Sequence, residues 1–420
     1  MTAEAPRKRS GRRAAILDWL AKGPFAIAAS TLQGGVNYFI VLFLSFGAGL
    51  AATGEYRTYF SYYSLFALAS MMESNKVFIR SVVNDDTAAA TGLFANRLLF
   101  SVGTVVVLAG IWAVGLLIEQ PLLDPMILAI GLVGAVIYPF DFYIAELQAR
   151  RRFRMLFVVE SVKYGGALLV FILMVRTGFG IGAAVLAQLA FMGLCNISFF
   201  RLFSRRWVLF GEVWRRFGAL IAGGPAHQAR LYSFANIFPA SLEHVDKLLV
   251  GWVFGLEFLG VYTLAYSTGR FLYNILKPAM YVYYRRFVDA MPGWPLLRRV
   301  SLIFTILGVG TSIIFLAAIA YVPQMAKFAD GRWATVILFC SYGLGILHAV
   351  YSQAFALNKD SVASHSFRAH MRATAISLIL LTVALGSPPM LALILLALQY
   401  PVRDGLSVLL MDRYRRSGGT

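Results

Sequence analysis

Long uncharged apolar segments are the feature that most restricts what this chain can fold into. The first runs from Pro24 to Phe46, 23 residues without a charged side chain. About 20 helical residues span the apolar core of a bilayer, whereas a cleaved signal peptide has an apolar core of only about 7–15 residues. Charged residues make up only 14% of the 420 residues, against about 25% in soluble domains, so we predict a polytopic membrane protein.

Apolar segments of this length recur along the whole chain. We predict an all-α fold with about 12 transmembrane helices, preceded by a short interfacial helix at 14–22. Eleven spans is the alternative count, because only GSPP at 386–389 separates the last two. The predicted spans are 24–46, 56–74, 97–118, 126–147, 156–175, 179–201, 219–243, 257–281, 299–321, 333–357, 369–386 and 389–411.

The basic residues are distributed very unevenly between the two sides of this predicted bundle. Of 38 Lys and Arg residues, 28 fall in the loops or ends on one side and four, Lys247 among them, fall on the other. Loops rich in Lys and Arg remain in the cytoplasm, so both termini are predicted to be cytoplasmic. This bias also accounts for the net charge of +18, and no nucleic-acid partner is expected.

An internal repeat divides the chain into two similar halves. Residues 49–56 read GLAATGEY and residues 255–262 read GLEFLGVY, an offset of 206 residues. Six predicted spans separate the copies, so both begin on the same side, as in transporters built from two parallel repeats. We therefore predict two six-helix bundles around a central lumen. The predicted divisions are a basic N-terminus (1–23), an N-terminal bundle (24–201), a cytoplasmic linker (202–218), a C-terminal bundle (219–411) and a cytoplasmic tail (412–420).

The eighth predicted span carries a polar stripe. Its members recur at spacings of four, three, four and three residues, which places them on one face of a helix. Cationic side chains inside an apolar span are costly and usually face water or a ligand. The stripe consists of Thr263, Ser267, Arg270, Asn274 and Lys277. We predict that it lines a passage for a negatively charged substrate.

Three further residues carry polar chemistry into predicted spans. Arg57 and Ser61 lie in the second span, at positions that the repeat relates to the eighth. Arg230 lies deep in the seventh span, which Gly and Pro residues are expected to bend. We predict that both arginines face the lumen. The alternative for Arg57 is a purely structural position, with its side chain snorkelling to the membrane interface.

Polar residues of the first and fourth spans admit structural readings as well. Gln33 and Asn37 share one face of the first span. They either line the lumen or form hydrogen bonds between helices, as polar residues in membranes commonly do. Asp141 and Lys163, in neighbouring spans, are predicted to form a structural ion pair rather than a proton relay.

Motifs of catalysis and metal binding are missing from the sequence. It contains no P-loop, HExxH or GxSxG motif and no His/Cys/Asp cluster of metal-ligand spacing. Cys195 and Cys340 both lie in apolar segments, without a disulfide-type spacing. We therefore predict a protein that is not an enzyme and that uses no metal and no cofactor. Any work would come from an ion, substrate or voltage gradient.

The stretch HVDKLLVGWVFGLEFLGVYTLAYS resembles a motif of known transporters. It is similar to the opening of the second half of polysaccharide-biosynthesis (O-antigen-type) flippases, in the multidrug/oligosaccharidyl-lipid/polysaccharide exporter superfamily. GLAATGEYRTYF and LQARRRFRMLFVVE resemble that family's first half, and the resemblance fades after residue 300. The motif positions are Asp246, Lys247, Gly255, Gly260 and Tyr262.

The resemblance implies a multi-pass flippase of the bacterial inner membrane that moves undecaprenyl-diphosphate-linked oligosaccharides from the inner to the outer leaflet by alternating access. A monomer in contact with membrane lipids is expected, with other polysaccharide-assembly membrane proteins as candidate partners. Residues expected to bind the diphosphate are Arg270, Arg230, Lys277 and Arg57. Residues expected to contact sugar are Asn37, Gln33, Asn274, Ser267 and Ser61. The alternatives are a cation-coupled multidrug exporter of the same superfamily and a membrane polymerase or ligase acting on lipid-linked sugars.

Overall fold

The computed structural model describes residues 7–71, 74–119, 123–277, 287, 290–358 and 363–417, and within them every regular element is helical. The helices of the N-terminal half are α1 Arg7–Gly47, α2 Leu50–Ala69, α3 Ser74–Val83, α4 Thr87–Leu117, α5 Pro125–Ile137, α6 Phe142–Ala149, α7 Phe153–Arg176 and α8 Ile181–Phe199. The short α9 Phe210–Arg215 and α10 Phe217–Ala222 follow. The helices of the C-terminal half are α11 Gly224–Leu276, α12 Trp294–Tyr321, α13 Arg332–Cys340, α14 Tyr342–Leu357, α15 Ala363–Leu385 and α16 Pro389–Ser417.

The number of membrane spans follows from the lengths and the breaks of these helices. Nine described helices are long and apolar enough to cross a membrane, and α13 and α14, bent by 49°, form a tenth span together. A break at Gly255 divides α11 into two spans, and α2 occupies the matching position in the N-terminal half. The described residues thus form twelve spans, six in each half, which confirms the predicted all-α, two-bundle fold.

Two glycines of the repeat adopt the same unusual backbone conformation. Gly49 has φ 98° and ψ 171°, and Gly255 has φ 88° and ψ 169°. This region is strained for residues with a Cβ, so glycine is needed where each helix starts again after the break. The turn predicted between the seventh and eighth spans is therefore a single residue rather than the loop 244–256.

The other two glycines of the repeat make a reciprocal contact between the halves. A Cβ added to Gly54 would lie 2.0 Å from the carbonyl oxygen of Leu256, and one added to Gly260 would lie 2.0 Å from that of Leu50. Leu50 and Leu256 are themselves related by the 206-residue offset. The repeat visible in the sequence is thus a two-fold contact between α2 and the segment of α11 after Gly255.

The two halves also touch at both ends of the bundle. At the end predicted to face outward, Lys327 Nζ donates to the carbonyl of Ser45 at 3.0 Å. At the opposite end, the Arg80 guanidinium donates to the carbonyls of Ala356 at 3.1 Å and Leu357 at 3.3 Å, where α14 ends. A cation at these carbonyls also complements the negative end of the helix dipole. The described contacts thus join the two halves at both ends.

Several helix boundaries differ from those predicted. Helix α1 runs unbroken from Arg7, so the interfacial helix predicted at 14–22 is continuous with the first span. Helix α4 begins at Thr87, with Asp86 capping it by accepting from the Ala89 backbone at 2.8 Å, rather than at residue 97. The predicted helix boundaries lie at charged residues, because hydropathy falls there. The helices of the structure continue past these residues, whose charges are paired or lie near a helix end.

Candidate functional site

Arg270 lies in the second segment of α11, among aromatic rings. Its guanidinium carbon is 4.6 Å from the centroid of Tyr273, 5.0 Å from that of Tyr400 and 5.9 Å from that of Tyr266. The residue is only 9% exposed. Within the described residues it forms no hydrogen bond and no ion pair, so its five N–H donors are unused. The rings attract its charge without satisfying its hydrogen-bonding capacity.

Arg57, from α2 of the other half, approaches the same group of rings. Its guanidinium lies 5.7 Å from the centroid of Tyr266 and 5.7 Å from that of Phe60. Its Nε is buried with no hydrogen-bond partner among the described residues. Tyr266 donates its hydroxyl hydrogen to Glu243. We call Arg57 and Arg270 the arginine pair; the two helices that the repeat relates bring them together.

The remaining residues of the polar stripe differ in their surroundings. Lys277 Nζ lies 5.8 Å from the centroid of the Tyr273 ring, on the same ring as Arg270. Ser267 is half-buried, and Asn274 is exposed, with its Cβ 3.5 Å from the position of a Cβ on Gly34 of α1. Thr263 is fully buried and its hydroxyl has no partner among the described residues. The stripe thus starts inside the protein and ends at an open surface facing α1.

Ser61, Asn37 and Gln33 were also predicted to contact the substrate. Ser61 is fully buried, with an unpartnered hydroxyl among the described residues. Asn37 lies in the wall of a cavity in the N-terminal half. The side chain of Gln33 lies outside the described part of the structure. Of the three, only Asn37 is placed in an open space.

Arg230 is separate from the arginine pair. Its Nη1 donates to Asn96 Oδ1 at 2.9 Å and to the Ile221 carbonyl at 2.6 Å. These bonds fasten the first segment of α11 to α4 and to the end of α10. The structure therefore gives Arg230 a packing role and does not bring it to the rings around Arg270.

The predicted motif residues Asp246 and Lys247 form the centre of a buried network. Both are fully buried, and Lys247 Nζ lies 3.0 Å from Asp246 Oδ1 and 2.9 Å from the Tyr400 hydroxyl. Asp246 Oδ2 accepts from Tyr262 at 2.8 Å and from Gln399 at 2.9 Å. We call these five residues the Asp–Lys network. The prediction that Lys247 lies in an outer loop is wrong, because α11 continues to the break at Gly255.

The pairing predicted between Asp141 and Lys163 is also wrong. Asp141 pairs with Arg97 of α4, which is fully buried. Lys163 instead lies 2.8 Å from Glu160 Oε1, one helical turn away, and donates to the Tyr143 hydroxyl at 2.7 Å. Both pairs remain structural, with different partners from those the sequence suggested.

A cavity of about 520 Å³ lies mainly in the N-terminal half, between α1, α2, α3, α6, α7 and α8. Six amide side chains reach its wall, so we call it the amide cavity; they are Asn37, Asn75, Gln148, Asn196, Asn236 and Gln353. Aromatic residues of the wall are Phe60, Tyr63, Tyr138 and Tyr164. Sequence analysis missed most of these residues, although amides inside apolar spans are themselves a functional signal.

A family model for polysaccharide biosynthesis proteins matches residues 54–282, more than half of the chain. The chain belongs to this family. The match covers α2, the Asp–Lys network apart from its α16 members, and the arginine pair.

Solved structures with a similar fold are transporters. The polysaccharide biosynthesis protein described here superimposes on the eukaryotic MATE transporter AtDTX14 with a TM-score of 0.54 at 14% identity, over 95% of each chain. An outward-facing multidrug resistance MATE transporter of the MOP superfamily gives 0.52 at 12%, also over 95% of each chain. A MOP superfamily transporter from Pyrococcus furiosus gives 0.52 at 13%, with the same coverage. No curated protein matches the sequence.

Family and fold together support a multi-pass membrane transporter or flippase in polysaccharide biosynthesis. At these identities the solved structures establish the fold only. Among the described residues of this family member, no three His, Cys, Asp or Glu side chains are grouped so as to hold a metal ion. The chemistry available at the site is therefore that of guanidinium, amide and phenol groups, which suits binding.

Proposed function

We propose that this protein is a flippase that moves undecaprenyl-diphosphate-linked oligosaccharides from the inner to the outer leaflet of the bacterial cytoplasmic membrane. It would work by alternating access between its two halves, as a monomer with both termini in the cytoplasm. Membership of the polysaccharide biosynthesis family supports this substrate class.

The arginine pair is the observation that carries the proposal. Arg57 and Arg270 come from different halves, lie within 6 Å of one tyrosine ring and donate no hydrogen bond to a described residue. A charge at the centre of a membrane costs about 2.5–3.5 kcal/mol on insertion scales, so a buried arginine such as Arg270, with no hydrogen-bond partner among the described residues, needs a reason. The planar guanidinium matches phosphate oxygens in a bidentate geometry, and a diphosphate offers enough oxygens for both arginines.

The positions of the arginines also connect binding to movement. Because Arg57 belongs to α2 and Arg270 to α11, a diphosphate bound by both would link the two halves. Release on the other side of the membrane would require the halves to separate at one end. Lys277, which shares the Tyr273 ring with Arg270, extends the cationic surface.

A cation-coupled exporter of small molecules is the second candidate, because the solved relatives of similar fold include multidrug MATE transporters. Glu243, beside the arginine pair, would be its cation ligand. The Pyrococcus furiosus transporter is described as having a pocket of reverse polarity that suggests a different function. A comparable difference in pocket charge, carried here by the arginine pair, would separate this protein from the drug exporters.

The decisive experiment replaces Arg270 in cells that lack their own copy of the gene. Arg270→Ala is expected to abolish export of the surface glycan at unchanged protein abundance, because a diphosphate would lose a charged partner. Arg270→Lys, which keeps the charge but not the planar fork, should restore only part of the export. Arg176→Ala removes an exposed arginine at the end of α7 and serves as the matched control.

Two outcomes would contradict the proposal. Normal glycan export by Arg270→Ala would remove the arginine pair from the transport cycle. Drug efflux that depends on Glu243, with glycan export unaffected by either residue, would favour the exporter instead.

A further inference from the structure

The amide cavity and the arginine pair differ in the charge that they offer a ligand. The ionic side chains of the cavity wall are Lys76, Lys163 and Asp141. Lys163 lies 2.8 Å from Glu160, and Asp141 is paired with Arg97, so these two charges are balanced within the protein. The amides outnumber the ionic groups of the wall, and hydrogen bonds are therefore its main means of selecting a ligand.

Hydrogen-bonding capacity in this wall is left open. Gln148 is only 9% exposed, and within the described residues its amide has no hydrogen-bond partner. Asn75 donates to Asp141 at 3.5 Å, while its own oxygen has no partner there. Each amide offers both donors and an acceptor. A buried amide left unpaired by its ligand costs about 1–3 kcal/mol, so an apolar ligand would fit this wall poorly.

Flat rings provide the other part of the wall. The Tyr63 and Tyr138 rings lie 5.6 Å apart, centroid to centroid, and Phe60 and Tyr164 complete the aromatic surface. A saccharide presents hydroxyl groups, which both donate and accept, at its edge and C–H groups on its faces. Amides beside aromatic rings complement both. The volume of about 520 Å³ lies within the range of roughly 300–1,000 Å³ typical of small-ligand pockets.

The cavity adjoins the arginine pair on the side of Arg57. Phe60 belongs to the cavity wall, and its ring is 5.7 Å from the Arg57 guanidinium. His244 is also in the wall and directly follows Glu243, the acceptor of the Tyr266 hydroxyl. A ligand with a neutral polar group joined to a diphosphate could therefore occupy both places at once.

We propose that the amide cavity is a saccharide subsite, holding the first neutral, polyhydroxylated sugars of the substrate while the arginine pair holds the diphosphate. This inference rests on the proposed function and adds a site to it. The N-terminal half would then select the glycan, and both halves together would hold the phosphates. Gln148 and Asn75 are the specificity-determining amides, together with Asn37.

The test measures binding to the full-length protein in nanodiscs with two probes. One is bare undecaprenyl diphosphate, and the other is the glycan-bearing lipid extracted from cells that lack this protein. Wild type is expected to bind the glycan-bearing lipid more tightly than the bare one. Gln148→Leu should lose about tenfold in affinity for the glycan-bearing lipid, as expected for one or two hydrogen bonds, and bind the bare lipid as wild type does.

A matched variant controls for the loss of an amide. Gln188→Leu removes a buried glutamine of α8 that does not reach the cavity, and it should bind both probes as wild type does. If Gln148→Leu does not fold, Gln353→Leu on the opposite wall replaces it with the same expectation. In the variant Gln148→Cys, the new thiol should moreover be protected from thiol labelling by the glycan-bearing lipid and not by the bare one.

The outcomes separate the two proposals. Equal wild-type affinity for both probes, or an equal loss for both in Gln148→Leu, overturns the saccharide subsite and leaves the flippase proposal standing. No binding of either probe, or Arg270→Ala binding both as wild type does, overturns the flippase proposal and the subsite with it.

Discussion

The Asp–Lys network and the arginine pair lie side by side around Tyr266 and Tyr400. Lys247 lies 4.2 Å from the Tyr266 centroid, and Arg270 lies 5.9 Å from it. In the network every charge has an opposite charge and several hydrogen bonds, and its ionic residues are fully buried. In the pair, neither guanidinium donates to a described residue. The same membrane environment therefore contains one group whose hydrogen bonds the protein completes and one whose hydrogen bonds the described residues leave incomplete.

The two groups of residues therefore carry different information: the Asp–Lys network identifies the family, and the arginine pair indicates the kind of substrate. The family motif includes Asp246, Lys247 and Tyr262, and these residues hold α11 to α16. Their presence in a sequence is therefore evidence for the fold and not for a substrate. The incomplete hydrogen bonding of Arg57 and Arg270 is what points to an anion. Substitutions in the two groups should accordingly affect different measurements.

The largest expected effect is on stability, from Lys247→Met. Removing the ammonium leaves the Asp246 carboxylate buried without its counter-charge, and breaking a buried pair in this way costs about 3–5 kcal/mol. Denaturant titration in detergent should show this loss in the free energy of unfolding. The double variant Asp246→Asn with Lys247→Met removes both charges and should recover most of it. A single variant as stable as wild type would contradict the structural role.

An intermediate effect, on binding alone, is expected from Arg57→Ala. Hydrogen bonds to charged groups contribute about 1.5–3 kcal/mol, so affinity for undecaprenyl diphosphate should fall about tenfold or more. The unfolding free energy should change by only about 1 kcal/mol, the value of an aromatic contact of this kind. Isothermal titration and unfolding on the same preparation measure both. A stability loss as large as that of Lys247→Met, at unchanged affinity, would show that the two groups do not differ.

The smallest and sharpest effect is expected from Tyr400→Phe, because Tyr400 belongs to both groups. Its hydroxyl accepts from Lys247 at 2.9 Å, and its ring lies 5.0 Å from the Arg270 guanidinium. Removing only the hydroxyl should lower the unfolding free energy by about 1 kcal/mol and leave diphosphate affinity unchanged. Tyr400→Ala, which also removes the ring, should reduce both. Equal losses of affinity in the two variants would rule out a role for the ring.

The fold was predictable because its signals are local. Apolar length determined the spans, and the repeat determined the two halves. The shared backbone conformation of Gly49 and Gly255 explains why the repeat survives in the sequence. Part of the candidate site was also visible in the sequence. Helix periodicity placed Arg270 on a polar face, and the repeat matched its helix to that of Arg57.

The rest depended on contacts distant in sequence. From the sequence alone Lys247 is assigned to a loop, because the residues that complete its network, Tyr400 and Gln399, lie about 150 positions later. The partner of Asp141 depends on how α4 is rotated about its own axis, which hydropathy does not record. The amide cavity is assembled from residues of eight helices and has no motif of its own. Arg230 looked like a lumen residue because Asn96, its partner, lies in the other half.

The reciprocal glycine contact has a consequence for the origin of the protein. Gly54 packs on Leu256 as Gly260 packs on Leu50, so each half presents the same patch to the other. A surface that is complementary to itself is the form of a two-fold symmetric homodimer interface. A six-helix ancestor carrying this patch could pair with a second copy of itself in parallel orientation. Gene duplication and fusion would then join an assembly that already existed, and the cavity and the arginine pair would record how its two copies later diverged.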